Sequence, residues 1–314
     1  PMMKKTGFKP EAASAIEAVA STGGQIMPPI MGAAAFVMAE FLGVSYTKVM
    51  IAAAIPAIFY YGALFAAIHL NAVRTGLRGI PKHELPLLGQ IIVRQGHLFL
   101  PVVVLLVLLV YGFTPTYAAI VAAASVIVIS WARPRTGLRL RTCVEALREG
   151  AEHTIPVATA CAAAGIVIGI VLQTGLALRF TSFLIQLAAG HLMPALLITM
   201  LAGIILGMGM PTTPAYIMQA ALLIPAIIKL GVTPIAAHMF AFYFSCLSAV
   251  TPPVALAVYA AASIGKASLW GAGVQALKFA AAGFIVPFFF VYSPALLFQG
   301  TWTEIGSVLV TGTI

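Results

Sequence analysis

Ser245-Cys246-Leu247-Ser248-Ala249-Val250-Thr251-Pro252-Pro253 interrupts an apolar helical run that enters it from His238 and leaves it from Val254. Two adjacent prolines remove two backbone donors, so carbonyls in the preceding turn lose their helical partners. In hydrocarbon each unpaired carbonyl or amide costs several kcal/mol, about the transfer penalty of an amide. The stretch therefore reads as a break inside a membrane span, where neighbouring protein or a polar ligand takes up the freed carbonyls.

The break has a copy. Sliding the sequence by 224 positions lays Pro1 on Pro225, Lys5 on Lys229, Gly7 on Gly231, Pro10 on Pro234, Ser21 on Ser245 and Pro28-Pro29 on Pro252-Pro253, without a gap. Alanine matches carry little weight in so alanine-rich a chain. The proline and glycine matches count, because those residues control backbone shape. The first copy of the break reads Ser21-Thr22-Gly23-Gly24-Gln25-Ile26-Met27-Pro28-Pro29.

Composition sets the solvent. With 61% apolar residues, 8% charged residues and a mean hydropathy of +1.06, the chain is a polytopic all-α membrane protein. All eight acidic residues are glutamates, and Cys143, Cys161 and Cys246 have no paired spacing, which argues against disulfides and zinc. The net charge of +9 lies mostly in short loops between apolar runs, as the positive-inside rule expects, and not in a nucleic-acid surface. A chain that starts at Pro1, with less lead-in to its first repeat than to its second, reads as part of a longer one.

Taken in order, the chain divides into a partial first repeat (1–70), connecting spans with basic cytoplasmic loops (71–174), a second repeat (175–297) and a C-terminal segment (298–314). The first broken helix runs from Glu11 to about Ala39, started on the inside by Lys4, Lys5 and Lys9. Tyr46 to Ala54 reads as an interfacial arm before a span from Ile55 to Leu70. Arg74, Arg78, Lys82 and Arg94 against Glu84 mark one cytoplasmic loop. Leu98–Tyr111 and Pro115–Trp131 read as a span pair, and Arg133, Arg135, Arg139, Arg141 and Arg148 mark a second basic loop, with Glu145, Glu149 and Glu152 offsetting it.

His153 to Thr174 then crosses outward, and an amphipathic connector spans Gly175 to Gly190. Leu192–Leu206 and Ala215–Ile228 flank the tip Gly207-Met208-Gly209-Met210-Pro211-Thr212-Thr213-Pro214. Arms this short around a Gly/Pro/Thr tip favour a re-entrant hairpin. The second broken helix, an arm at Ala267–Lys278 and a span at Phe279–Leu297 follow. Counting crossings, the second copy starts outside: the fold is an inverted repeat, which places a site at the midplane between copies. A hairpin that crossed fully would make the copies parallel instead.

Each break gathers hydroxyls and carbonyls: Ser21, Thr22, Gly23 and Gly24 in one, Ser245, Ser248 and Thr251 in the other. The tip adds carbonyls around Gly207 and Gly209 together with Thr212 and Thr213. Neutral oxygens suit sodium as a coupling ion, with no other cofactor implied. Helix amino ends at the tip can face an anionic group, so Pro211, Thr212, Thr213 and Gln25 are candidate substrate contacts. The plain alternative is a kink satisfied by serine and threonine back-bonding. Glu17, one turn before Ser21, is a candidate coupling carboxylate, or a side chain that snorkels or pairs with lysine near the inner face. The histidines and Lys278 read as structural or interfacial.

At these residues the chain resembles the large, DctM-like membrane subunit of tripartite ATP-independent periplasmic (TRAP) transporters. Gly207 to Pro214, Pro225, Gly231-Val232-Thr233-Pro234 and Thr251-Pro252-Pro253-Val254 look like that family's second hairpin and following broken helix. Gly23-Gly24-Gln25-Ile26-Met27-Pro28-Pro29 looks like its first broken helix, and Gln25-Ile26-Met27 suggests the fused-permease branch that works with TAXI-type binding proteins. The resemblance implies an elevator-type, sodium-driven importer of organic acids in a bacterial or archaeal inner membrane. It implies a periplasmic substrate-binding protein as partner and a small membrane subunit fused to the full-length chain. It also implies sodium ligands among Ser21, Thr22, Gly23, Gly24, Gly207, Thr212, Thr213, Ser248 and Thr251. The family's first hairpin is missing before Pro1.

Other classes fit less well. An intramembrane enzyme lacks its material: the sequence has no HExxH, no GxSxG and no aspartate pair. A channel is disfavoured because inverted repeats with breaks suit alternating access. A proton-coupled transporter, or another broken-helix transporter without a binding protein, is the alternative within the same class.

Overall fold

A computed structural model describes residues 2–77, 89, 92–93, 96–131 and 139–312 of the chain. Arg78, Lys82, Glu84, Arg94, Arg133 and Arg135, which carry much of the basic-loop expectation, lie outside the described residues. Every regular element among the described residues is helical. They are α1 (Met2–Lys5), α2 (Pro10–Gly23), α3 (Ala33–Leu42) and α4 (Tyr46–Arg74). A 3-10 turn at Gly96–Phe99 then leads into α5 (Leu100–Val110), α6 (Pro115–Ser130) and α7 (Leu140–Gln173). Next come α8 (Leu176–Leu187), α9 (Leu192–Gly207), α10 (Thr212–Leu222), α11 (Ile224–Lys229) and α12 (Pro234–Leu247). After a 3-10 turn at Ser248–Val250 follow α13 (Leu256–Gly265), α14 (Leu269–Phe279), α15 (Ala281–Tyr292) and α16 (Trp302–Gly312).

Tyr46–Arg74, Arg141–Gln173 and Leu269–Tyr292 are each long and apolar enough to cross a bilayer, and several apolar helices are only 10–17 residues long. The chain is an all-α polytopic membrane protein. Its contacts group into two units: Ser45–Thr47 with Gly79–Ala158, and the remainder. In the smaller unit α5 and α6 pair through a turn at Gly112, whose φ of 86° suits glycine. The Thr114 hydroxyl accepts from the Tyr117 amide to start α6.

In the larger unit both breaks are present. Helix stops at Gly23 and resumes at Ala33; it stops at Leu247, turns through Ser248–Val250 and resumes at Leu256. The entries to the two broken helices are copies in detail. Gly7 and Gly231 have φ of 100° and 94°, and their amides donate to Lys4 O and Ile228 O at 3.1 and 2.9 Å. Pro28-Pro29 and Pro252-Pro253 are both cis. The gapless alignment ends there, because α3 begins at Ala33 and α13 at Leu256, 223 positions apart: the second break is one residue shorter.

The halves of the two broken helices exchange partners. Helix α2 packs on α13 and α14, with its start beside the end of α13: Lys4 Nζ donates to Gly265 O at 2.8 Å, and Ser14 lies against Gly265. Helix α12 in turn packs on α3, with its start beside the end of that helix, where Phe41 and His238 have ring centroids 6.3 Å apart. Ser14 and His238 are equivalent positions. Start against end, in both combinations, is the packing of two copies laid antiparallel. Tyr60 and its equivalent Gly283 also touch, as residues beside a two-fold axis must: a Cβ on Gly283 would fall 2.7 Å from the Tyr60 ring.

Three expectations about the connections need correcting. The first arm and span are one helix, α4, with Pro56 inside it, because the apolar run that buries Val49, Ala52 and Ala53 has no second breaker. In the second copy the corresponding join is only Ala280, whose amide still bonds Ala276 O at 2.8 Å. The second basic loop is helical from Leu140 onward. Arg141–Glu145 and Arg148–Glu152 pair at 2.9 and 2.8 Å one turn apart, and such exposed pairs support a helix by about 0.3–0.5 kcal/mol each.

Antiparallel packing predicts a cross-link. The Cβ atoms of Ser14→Cys and Gly265→Cys would lie 3.6 Å apart, inside the disulfide range of about 3.5–4.5 Å. With Cys143, Cys161 and Cys246 replaced, mild oxidation should remove both thiols from maleimide labelling; two thiols left free would contradict the arrangement.

Candidate functional site

The hairpin and the second break meet. The Ser248 hydroxyl, 1% exposed, lies 3.2 Å from Gly207 O, the last helical residue of the first hairpin arm, and 2.8 Å from Ser245 O. Gly207 is required there, since a Cβ would sit 2.8 Å from Ser248 Cβ. Gly209, at φ 75°, turns the tip and brings it beside Val254, 3.6 Å from where a Cβ would be. Pro211 then precedes α10, which opens with Thr212 and Thr213, both half-buried, so the tip ends on the amino terminus of an eleven-residue helix.

Around the second break the hydroxyls back-bond. Ser245 Oγ donates to Ala241 O at 2.8 Å and Thr251 Oγ1 to Leu247 O at 2.7 Å. Ser245 lies within the last turn of α12, above the break itself. Each oxygen keeps a lone pair beyond the bond it makes, so the arrangement holds the helix end together and still presents neutral oxygens. These donors suit a hard monovalent cation.

The first break is a run of tight turns. Gly24, Gln25 and Ile26 amides donate to Ser21, Thr22 and Gly23 carbonyls at 3.1, 3.1 and 2.9 Å, and Gly32 N–H closes the loop on Gln25 O at 2.8 Å. The Gln25 side chain folds over Gly32. Thr22 and Gly23 are buried; Ser21 and Gly24 are exposed. Exposed Glu17 accepts from the Ser21 hydroxyl at 3.4 Å, so the two polar side chains of this face pair with each other. Helix α2 contacts the Ser248–Val250 turn, which brings the first broken helix to the second break.

A family model described as tripartite ATP-independent periplasmic transporter, DctM component, matches residues 1–305. The chain belongs to this family. A search of curated proteins found no match. As a DctM component the chain is the permease of a TRAP transporter, a system that works with a periplasmic substrate-binding protein.

Three residues around the tip and breaks were not singled out from the sequence. Gln219, wholly buried in the second arm of the hairpin, donates from Nε2 to Gly203 O at 2.8 Å, while its Oε1 has no hydrogen-bond partner among the described residues. Its signal was available, as the one amide in an otherwise apolar arm. Tyr60 and Tyr61 donate to Val19 O and Ala20 O at 2.9 and 2.7 Å, just before the first break. Nothing local marks them, since both sit in an apolar span 41 residues from their acceptors.

Gly207→Ala should destabilise the DctM component by about 1–3 kcal/mol through overpacking against Ser248. Ser248→Gly in the same chain should recover most of the lost melting temperature in detergent. Independent, additive losses would show that the tip and break do not meet.

Proposed function

We propose that this chain is the permease subunit of a sodium-coupled importer of an organic acid, delivered by a TAXI-type periplasmic binding protein and moved by elevator-type alternating access in a bacterial or archaeal inner membrane. A small membrane subunit, fused in the full-length chain, would supply the scaffold. The reading assigns transport and no catalysis to the subunit. Its cation ligands come from Ser21, Thr22, Gly23, Gly24, Gly207, Gly209, Ser245, Ser248 and Thr251, and Pro211, Thr212, Thr213 and Gln25 face the carboxylate.

The observation that carries the reading is the Ser248 hydroxyl set between two carbonyls, Ser245 O of its own break at 2.8 Å and Gly207 O of the tip at 3.2 Å. It ties the tip that would close over substrate to the break whose oxygens would hold the cation. Occupancy of one then biases the position of the other, which is what coupling requires. The alternative, proton coupling, rests on Glu17, whose carboxylate already holds the Ser21 hydroxyl.

Reconstituted with its binding protein, the complete transporter should accumulate substrate under an inward sodium gradient and lose at least tenfold in rate when choline replaces sodium. Thr212→Val with Thr213→Val should abolish the sodium-dependent part. Uptake that follows a pH gradient and ignores sodium would transfer the coupling role to Glu17; double-valine uptake equal to wild type would overturn the tip assignment.

A further inference from the structure

We infer that Tyr60 and Tyr61 are positioning residues for the first break, and that they make its cation site unlike the second. The inference rests on the sodium-coupled reading above. Helix α2 ends at Gly23, and the Gly24 amide turns back to Ser21 O at 3.1 Å. Ala20 O thereby loses its usual partner four residues on, and the Tyr61 hydroxyl fills that vacancy at 2.7 Å. Tyr60 adds a second donor on Val19 O at 2.9 Å, in a buried position. The rings fix the chain as well as the hydroxyls do. Gly23 lies against the Tyr60 ring, which leaves no room for a Cβ, and the same ring packs on Gly283 and meets Tyr61 edge-on.

The second break is gripped differently. Its equivalents of Tyr60 and Tyr61 are Gly283 and Phe284, neither of which has a hydroxyl, and the Phe284 ring lies 6.3 Å from that of Phe244. There the carbonyls of Ser245 and Leu247 are held by Ser248 and Thr251, hydroxyls of the break itself. Those can rotate locally when a cation competes for the oxygens. At the first break the donors belong to α4, so the geometry of the Ser21–Gly24 carbonyls depends on where α4 stands. Cation occupancy of the first break is thereby linked to α4, whereas the second break is linked through Ser248 to the hairpin arm α9.

The test is the sodium dependence of uptake by the complete transporter with its binding protein. Tyr61→Phe removes one hydroxyl and leaves the ring, and should raise the sodium concentration for half-maximal uptake about fivefold, the usual size of one lost hydrogen bond. Its maximal rate at saturating sodium should stay within twofold. Tyr60→Phe should shift the midpoint less, because Val19 O keeps its backbone donor, and the double variant should shift it most. A sodium midpoint unchanged in the double variant overturns the proposal while leaving sodium coupling intact, and so does a fall in maximal rate with no midpoint shift, the signature of a purely structural role. Wild-type uptake that is indifferent to sodium overturns the coupling reading, and this proposal with it. If the double variant does not reach the membrane, Tyr61→Phe alone, at a part-buried site, decides.

Discussion

A backbone carbonyl or amide in hydrocarbon must find a partner, and both breaks are built around that requirement. Each break ends a helix early and then spends its freed groups at once, on tight turns, on back-bonding hydroxyls or on hydroxyls from another helix. What remains is a cluster of neutral oxygens with fixed positions and spare lone pairs. The tip is tied in as well, because Gly207 O lies 3.2 Å from the Ser248 hydroxyl, whose single proton it shares with Ser245 O at 2.8 Å.

Antiparallel packing brings helix α2 against the Ser248–Val250 turn. A single broken helix could be satisfied at any protein interface, but here the first half of each copy lies along the second half of the other. The equivalence is imperfect where function would gain from it. One residue is lost after Pro252-Pro253, and a tyrosine pair in one copy faces glycine and phenylalanine in the other. Two-fold packing therefore holds two similar breaks by unlike grips.

The two copies and their breaks were legible in the sequence because adjacent prolines and the glycines beside them dictate backbone shape, and the opposed orientation of the copies was read from loop charge and the counting of crossings. Gly7 and Gly231, or the two di-prolines, could be matched without knowing any contact. Helix limits were less legible: Pro56 and Pro156 sit inside continuous helices, and Arg141 to Glu152 looked like a loop by charge while pairing as a helix. At the site, the glycines of the tip and the hydroxyls of the breaks were readable by type. The specific bonds were not. Ser248 to Gly207 and Tyr61 to Ala20 join segments 41 residues apart, and no local pattern encodes such a partner.

The central claim is that cation occupancy at the breaks holds the hairpin tip in place. Met210, half-buried at the tip, reports on it most directly. In the complete transporter with Cys143, Cys161 and Cys246 replaced, the rate at which Met210→Cys reacts with a membrane-impermeant thiol reagent should fall severalfold when sodium replaces potassium at constant ionic strength. A labelling rate that is the same in both salts would contradict the account.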